Sequence, residues 1–435
     1  MSRASKCTSN DAQYPTADLE IEPSRTGQSI EAPAEHGPVS RASRLVLTST
    51  VCSLVLTEMP ASITAMPLWE PGTDVEPRII DLFAGPGGLD VGATWLGIPA
   101  TGIELDTNAC ATRAQAGLDT VQGDVRDFDP DDFPDATVLT GGPPCQTFTV
   151  AGKGSGRKSL DEVILGVKEM VERPEACTHR GKFADDRTEL VLEPLRWALL
   201  ALRDDRPFEA IVLEQVPAVL PVWSAFQEVL SERGYGVDVG VLRSEEFGVP
   251  QTRRRAILIA RFGDANVKLP SPTHRSFRKG EPNQTAIGLR PWVSMGQALD
   301  RGTTFTVVSN YGSGGDPRNR GERHSDEPSA TVTGKIMRNR LRLSNGRWSR
   351  LTHQEAGKLQ TFPFDFPWSG SDIGQQIGNA IPPRLAVHVL AKALMLEVDE
   401  HELDETVNAS WVEGRPIPLA SRSERFDADM VGAAD

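Results

Sequence analysis

The chain has 435 residues, 39% hydrophobic and 24% charged, which excludes a collagen-like, a wholly disordered and a multi-span membrane protein. Its net charge of −14, averaged over the chain, argues against a nucleic-acid binder; yet residues 251–350 hold 19 Lys and Arg against 7 Asp and Glu. One basic segment in an acidic chain is the asymmetry of a localised polyanion-binding face.

In chain order, residues 1–76 are rich in Ser, Thr, Pro and Ala, keep no sustained period and read as a disordered extension, with Met59 and Met66 as alternative starts. Its apolar run 45–56 is too short to span a bilayer and lies too far from Met1 for a secretory signal. Residues 78–83 then form a buried-strand run, 84–88 a glycine turn and 89–96 a helix. Short apolar runs follow at 100–103, 137–139, 210–213, 237–242 and 256–260, with helices expected at 189–202 and 219–233. Such alternation predicts an α/β fold, a doubly wound, mostly parallel sheet. From 261 to 350 Gly, Pro, Ser and Arg dominate and no helix is convincing, so this part reads as small, irregular and β-rich. Helical signals return at 352–359 and 382–396. Residues 397–435, with 11 acidic and 3 basic side chains, read as a solvated acidic tail. The five cysteines are few, odd in number and widely spread, so the reading is free thiols in a reducing compartment and no metal site.

Four motifs carry chemistry. DLFAGPGGLDVG (81–92) puts a glycine turn between a strand and a helix N-terminus, where backbone can approach a ligand closely. It does not match G-x-G-x-x-G, which argues against a dinucleotide. Glu104, ending the next strand, can accept both hydroxyls of a ribose, and Asp124 in QGDVRD can accept from an adenine amine. Each acid alone reads as a solvated strand end or helix cap; in series after a glycine loop they point to an adenosyl site. TGGPPCQTF (140–148) puts Cys145 on a loop at the carboxyl end of a strand, stiffened by two prolines, a poor place for a core thiol and a good one for a nucleophile. VLEQVP (212–217) sets Glu214 at a semi-buried strand end as a proton donor. In FGVPQTRRRAILIA (247–260), Arg253 and Arg255 alternate onto one side and need an anion if buried, whereas Arg254 reads as a solvated edge.

The ordered set DLFAGPGGL, GIELD, GDV, GGPPCQ, LEQVP, GVPQTRRR, RLTHQEAGKLQTFP and QQIGNAIPPRLA resembles the DNA (cytosine-5)-methyltransferase family over residues 77–396. The resemblance implies a class I S-adenosylmethionine methyltransferase fold. The catalytic domain is then built from 77–263 and 350–396, with a target-recognition domain at 264–349, most of the basic segment. It implies that Cys145 adds to carbon 6 of a flipped-out cytosine and that Glu214 contacts ring nitrogen 3 and the exocyclic amine. Arg255 then assists at the carbonyl or holds the Cys145 loop, and Arg253 binds a backbone phosphate or lies in the neighbourhood of Glu214. For S-adenosyl-L-methionine it implies Phe83 on adenine, Gly85 and Gly87 near the methionine moiety, Glu104 on ribose and Asp124 on the adenine amine. Leu105, Val125, Pro144 and Leu190 line the pocket, and Asn379 returns beside the glycine loop. Arg187 to Leu190 resembles the family's helix-opening R-x-x-L.

Three departures stand out: Gln215 where the family has Asn, extra sequence at 157–182, and Thr147-Phe148 after Gln146. Arg318, Asn319, Arg320, Arg338, Asn339 and Arg340 are candidates to read base edges or hold phosphates. The partners implied are double-stranded DNA, no membrane, a monomeric state and a cognate restriction endonuclease without a stable complex, in the bacterial cytoplasm. The same chemistry on RNA, or a catalytically silent nucleic-acid-binding relative, stays open. A Cys hydrolase does not, because none of the seven His sits in a motif near Cys145.

Overall fold

The computed structural model describes residues 76–144, 155–172, 189–312 and 320–412. Cys145, Gln146 to Phe148, Arg187, Thr188, Arg318 and Asn319 therefore lie outside the described residues, as do 1–75, 173–182 and 413–435.

A seven-stranded sheet organises the molecule. Strands β1 (Ile79–Leu82), β2 (Ala100–Glu104), β3 (Asp119–Gln122), β4 (Val138–Gly141) and β5 (Ala210–Gln215) run parallel in the order β3-β2-β1-β4-β5. The chain continues through β6 (Tyr235–Arg243), the two-residue β7 (Gln251–Thr252) and β8 (Arg254–Phe262). β8 inserts antiparallel between β5 and β6 and is the one reversed strand of this sheet.

Successive residues of these strands feed two different cores. Ala210 and Val212 of β5 join one apolar cluster, Ile211 and Leu213 the other, and Ile257 and Ile259 of β8 alternate with Leu258 and Ala260 in the same way. Strands covered on both faces read as unbroken apolar runs, which is why their positions were legible. Helices α1 (Gly88–Trp95) and α2 (Thr107–Ala116) and, after a long excursion, α9 (Pro383–Ala393) cover one face. Helices α3 (Ser155–Glu172), α4 (Glu193–Arg203) and α5 (Leu220–Ser231) cover the other. Part of the 157–182 insertion is thus helical, and α3 buries Val163, Val167 and Met170.

Among its described residues the basic segment contains one short α-helix, α6 (Met295–Leu299), and an antiparallel sheet in the order β10-β9-β12-β13. Its strands are β9 (Phe305–Gly312), β10 (Arg320–His324), β12 (Arg340–Leu343) and β13 (Trp348–Ser349). Strand β11 (Ser329–Ala330) pairs instead with β7 in a separate parallel two-stranded sheet, just ahead of β8 in the chain. Its apolar cluster, including Phe305, Val307 and Leu341, continues into Ala356 and Leu359 of α7 (His353–Leu359) and Ile377 of α8 (Ile373–Asn379).

The acidic end requires a correction. Residues read as solvated form α10 (Glu400–Asn408), which buries Leu403 and Val407 against the first core. Glu400 and Asp404 pair with Arg384 of α9 at 2.6 and 2.5 Å. Composition alone hid the i, i+4 apolar spacing.

Candidate active site

The glycine loop leaves β1 through Phe83, which adopts a left-handed backbone (φ 62°), and enters α1 at Gly87 (φ 100°). One step on, a Cβ at Gly88 would lie 2.3 Å from the Ile381 carbonyl oxygen, so glycine is what lets the 379–381 segment close on the loop. A cavity of about 70 Å³ results, lined by Asp81, Phe83, Gly85, Gly142, Glu214 and Asn379 among others. The expected return of Asn379 beside the loop is therefore what the chain does. Asn379 is exposed, and its side-chain oxygen accepts from Gln375 Nε2 at 2.7 Å.

Glu104 closes β2 by accepting from the backbone N–H groups of Gly85 and Asp106, both at 2.7 Å. Burial pushes its carboxyl upward while those two bonds oppose the shift. With two of about four lone-pair sites used, the carboxylate retains acceptor capacity beside the loop. Leu105 is 62% exposed next to it, and Val125 and Leu190 belong to or pack on the second core. Asp124 caps the turn at Arg126 N (3.0 Å) and pairs with Arg126 Nη2 at 2.6 Å. The helix-cap reading of this acid is thus realised, and it shares the carboxylate with any ligand.

Glu214 and Gln215 end β5 beside the glycines that end β4. Glu214 is 6% exposed and pairs with Arg255 Nε at 2.5 Å. Its Oε2 would lie 3.6 Å from a Cβ on Gly142. The Gln215 amide donates to the Pro143 carbonyl and accepts from Val216 N–H at 2.5 Å. The extra methylene of Gln215 is thereby accommodated, and the amide fastens the segment leading through half-buried Pro144 to Cys145.

Arg253 requires a second correction. It is 1% exposed, and its guanidinium donates to the carbonyls of Val332 (3.1 Å), Gly378 (3.1 Å) and Ala380 (2.9 Å). Main-chain oxygens take the place of the anticipated phosphate, because β7–β11 pairing and the 378–380 segment converge on this side chain. Burial lowers its pKa to about 9, with Arg255 adding and Glu214 opposing. Arg253 and Arg255 therefore do different things: one ties three segments together, the other holds Glu214.

Sequence reasoning missed the charges under the loop. Asp81 is buried, accepts from Thr140 Oγ1 at 2.6 Å and has its carboxyl raised well above the usual range by burial and by Asp90. Arg113 and Asp90 form a buried two-pronged pair at 2.7 and 2.8 Å. Both aspartates stand inside the first motif, the only available signal. A broader, open depression lies on the small sheet, lined by Thr306, His324 and Arg342 among others, and shares no residue with the cavity above. Among the described residues no three His, Cys, Asp or Glu are grouped to hold a metal, and no helix is long and apolar enough to cross a membrane.

A glycine loop facing a strand-end acid, and a Glu–Arg pair beside the end of β4, on this strand order, are the arrangement of a class I S-adenosyl-L-methionine methyltransferase. The C-5 cytosine-specific DNA methylase family model matches residues 77–173, 177–288 and 301–395, and the chain belongs to that family. Type II methyltransferase M1.HphI of Haemophilus parahaemolyticus is 30% identical over 74% of this chain and 87% of the relative. M.NgoFVII of Neisseria gonorrhoeae is 26% identical over 75% of this chain and 89% of its own. Among solved structures, the S. pombe Dnmt2 methyltransferase superposes with a TM-score of 0.50 at 17% identity, over 73% of this chain and 98% of that one, a likeness of fold. The chain is a DNA (cytosine-5)-methyltransferase that uses S-adenosyl-L-methionine.

Proposed function

We propose that this enzyme methylates carbon 5 of cytosine within a specific duplex sequence, through a covalent Cys145 adduct with a flipped-out base. The observation that carries the reading is the Glu214–Arg255 pair, joined through Gln215 to the Pro143 carbonyl, two residues before Cys145.

The Cys145 thiolate adds to carbon 6, and the electron pair of the 5,6 double bond moves toward carbon 5. Glu214, held by Arg255, contacts ring nitrogen 3 and the exocyclic amine and stabilises the charge that develops there. When bound, S-adenosyl-L-methionine supplies an electrophilic sulfonium methyl group to carbon 5. Loss of the carbon-5 proton then breaks the carbon–sulfur bond and returns the thiolate. Stacked duplex hides both faces of the base, so the cytosine must leave the helix.

The residues round the loop fit the cofactor. Phe83 supplies an apolar face, Gly85 and Gly87 let the backbone approach, Glu104 keeps acceptor sites for ribose, and Asp124, both of whose oxygens accept from Arg126, exchanges part of that pairing for the adenine amine. Asn379 lines the same cavity, and Leu105, Val125, Pro144 and Leu190 are assigned to the cofactor pocket on the family resemblance. Arg253 acts as a positioning residue for Arg255 and the recognition segment. Residues 264–349 present the DNA-reading surface, 77–263 with 350–396 the catalytic part. The chain works as a monomer in a restriction–modification setting in the bacterial cytoplasm, beside an endonuclease that forms no stable complex with it; the type II names and bacterial sources of the relatives support the setting.

The test is transfer of labelled methyl groups from S-adenosyl-L-methionine to mixed genomic DNA, with RNA alongside, for the wild type and Cys145→Ser. Wild-type incorporation into DNA at carbon 5 of cytosine in one sequence context, abolished by the substitution, is expected. Incorporation into RNA only, or into neither, would overturn the reading.

A further inference from the structure

Between the Arg255 end of β8 and the small sheet runs a groove bordered by Arg243, Arg254, Arg255, Lys279 and Arg323, with Glu245 its one acid. Arg243 and Arg254 stand directly opposite each other in the β6–β8 register. Like charges so placed repel, and among the described residues neither makes a close ion pair, the carboxyl of Glu245 being the acid that both act on. Arg323 stacks over Phe277 at 4.6 Å and keeps a buried Nη1 with no hydrogen-bond partner. Glu245 is 4% exposed, and its buried Oε2 likewise has no partner. The groove thus holds an excess of cations over its one carboxylate, and one oxygen of that carboxylate has no hydrogen-bond partner.

We propose that this groove binds a backbone phosphate of the DNA between Arg243 and Arg254, and that Glu245 takes up one proton as it does so. The inference rests on DNA being the substrate. Several charges face Glu245: Arg243 and Glu246 from its own turn, Arg254 and Arg255 from β8, and Lys279 and Arg323 from the recognition segment. Burial pushes its carboxyl up to about 6; Glu246 pushes the same way, while its own backbone N–H, Arg243 and Arg254 oppose. Free protein at neutral pH therefore carries Glu245 mainly ionised. A phosphate occupying the groove adds a negative neighbour and takes the attention of both arginines, so the proton is held to higher pH in the complex.

Full-length protein and a fluorescein-labelled duplex, followed by anisotropy from pH 6 to 8, test this. Wild-type affinity should fall by up to about tenfold per pH unit, the limit for one linked proton. Glu245→Gln should bind with little pH dependence and at least as tightly as wild type at pH 8. Arg254→Gln should reduce the slope of log affinity against log salt by about 1. Proton uptake by the wild type, measured calorimetrically in two buffers of different ionisation enthalpy, needs no variant. Binding without proton uptake, or a pH slope that persists in Glu245→Gln, overturns the inference while leaving DNA as substrate. An unchanged salt slope in Arg254→Gln overturns the phosphate contact, and no duplex binding at any pH overturns both readings.

Discussion

Under the glycine loop, Arg113 is fully buried and its guanidinium makes four hydrogen bonds, two to Asp90, one to Thr120 Oγ1 and one to the Asp119 carbonyl. At the other end of the carboxyl edge, Glu245 is almost as deeply buried and one of its oxygens has no partner. The first region has closed its electrostatics within the chain; the second has left them open. A cofactor loop needs fixed backbone, and a saturated ion pair beneath it supplies rigidity. A polyanion groove needs cations not already neutralised, and a buried carboxylate with one unpartnered oxygen is tolerated there.

Breaking the closed region should have the larger effect. Arg113→Ala leaves Asp90 buried without its cation, close to the already raised Asp81, and should cost about 3–5 kcal/mol in urea unfolding. Removing both charges together, with Asp90→Ala, should cost less than removing Arg113 alone. A loss below about 1 kcal/mol for Arg113→Ala would show that the pair does not hold the loop.

The open region should respond in the opposite direction. Folded Glu245 keeps its proton up to about pH 6, whereas a usual carboxyl releases it near 4.5. The folded state then binds more protons between those values, so stability falls as pH rises through that window. Above it, the ionised carboxylate costs the fold about 2 kcal/mol. Glu245→Gln should therefore be more stable than wild type at pH 7.5 by about that amount, with the difference shrinking toward pH 4.5. An equal difference at both pH values would show that Glu245 is not the group responsible.

The same contrast governs what the sequence disclosed. β1, β4, β5 and β8 were readable because both their faces are buried and each carries a run of adjacent apolar residues. β3 was not, since Asp119–Gln122 lies at the sheet edge with no buried residue. The reversed direction of β8 is invisible in composition, because an antiparallel strand covered on both sides has the same apolar run. Glu214 and Arg255 were found by motif, and their pairing follows from adjacent strand ends. For Arg253, alternation gave a side of the strand but not its occupant: carbonyls stand where the phosphate was expected, and Glu214 lies within electrostatic reach, as the other alternative had it. Nor could the sequence show that Arg243 faces Arg254, since cross-strand register depends on the turn between β6 and β8. Gln215 looked like a disturbance; only the distance to the Pro143 carbonyl shows that the longer amide reaches a partner.

The covalent step at Cys145 is open to one direct measurement. In a duplex whose target cytosines carry fluorine at carbon 5, the atom that must leave as a proton is absent, so an adduct formed through carbon 6 cannot be released. Incubation with S-adenosyl-L-methionine followed by denaturing mass spectrometry should show wild-type protein bonded to the duplex through the peptide containing Cys145, and no adduct for Cys145→Ser. Steady methylation of ordinary cytosine with no adduct on the fluorinated duplex, or an adduct that survives Cys145→Ser, would contradict the account.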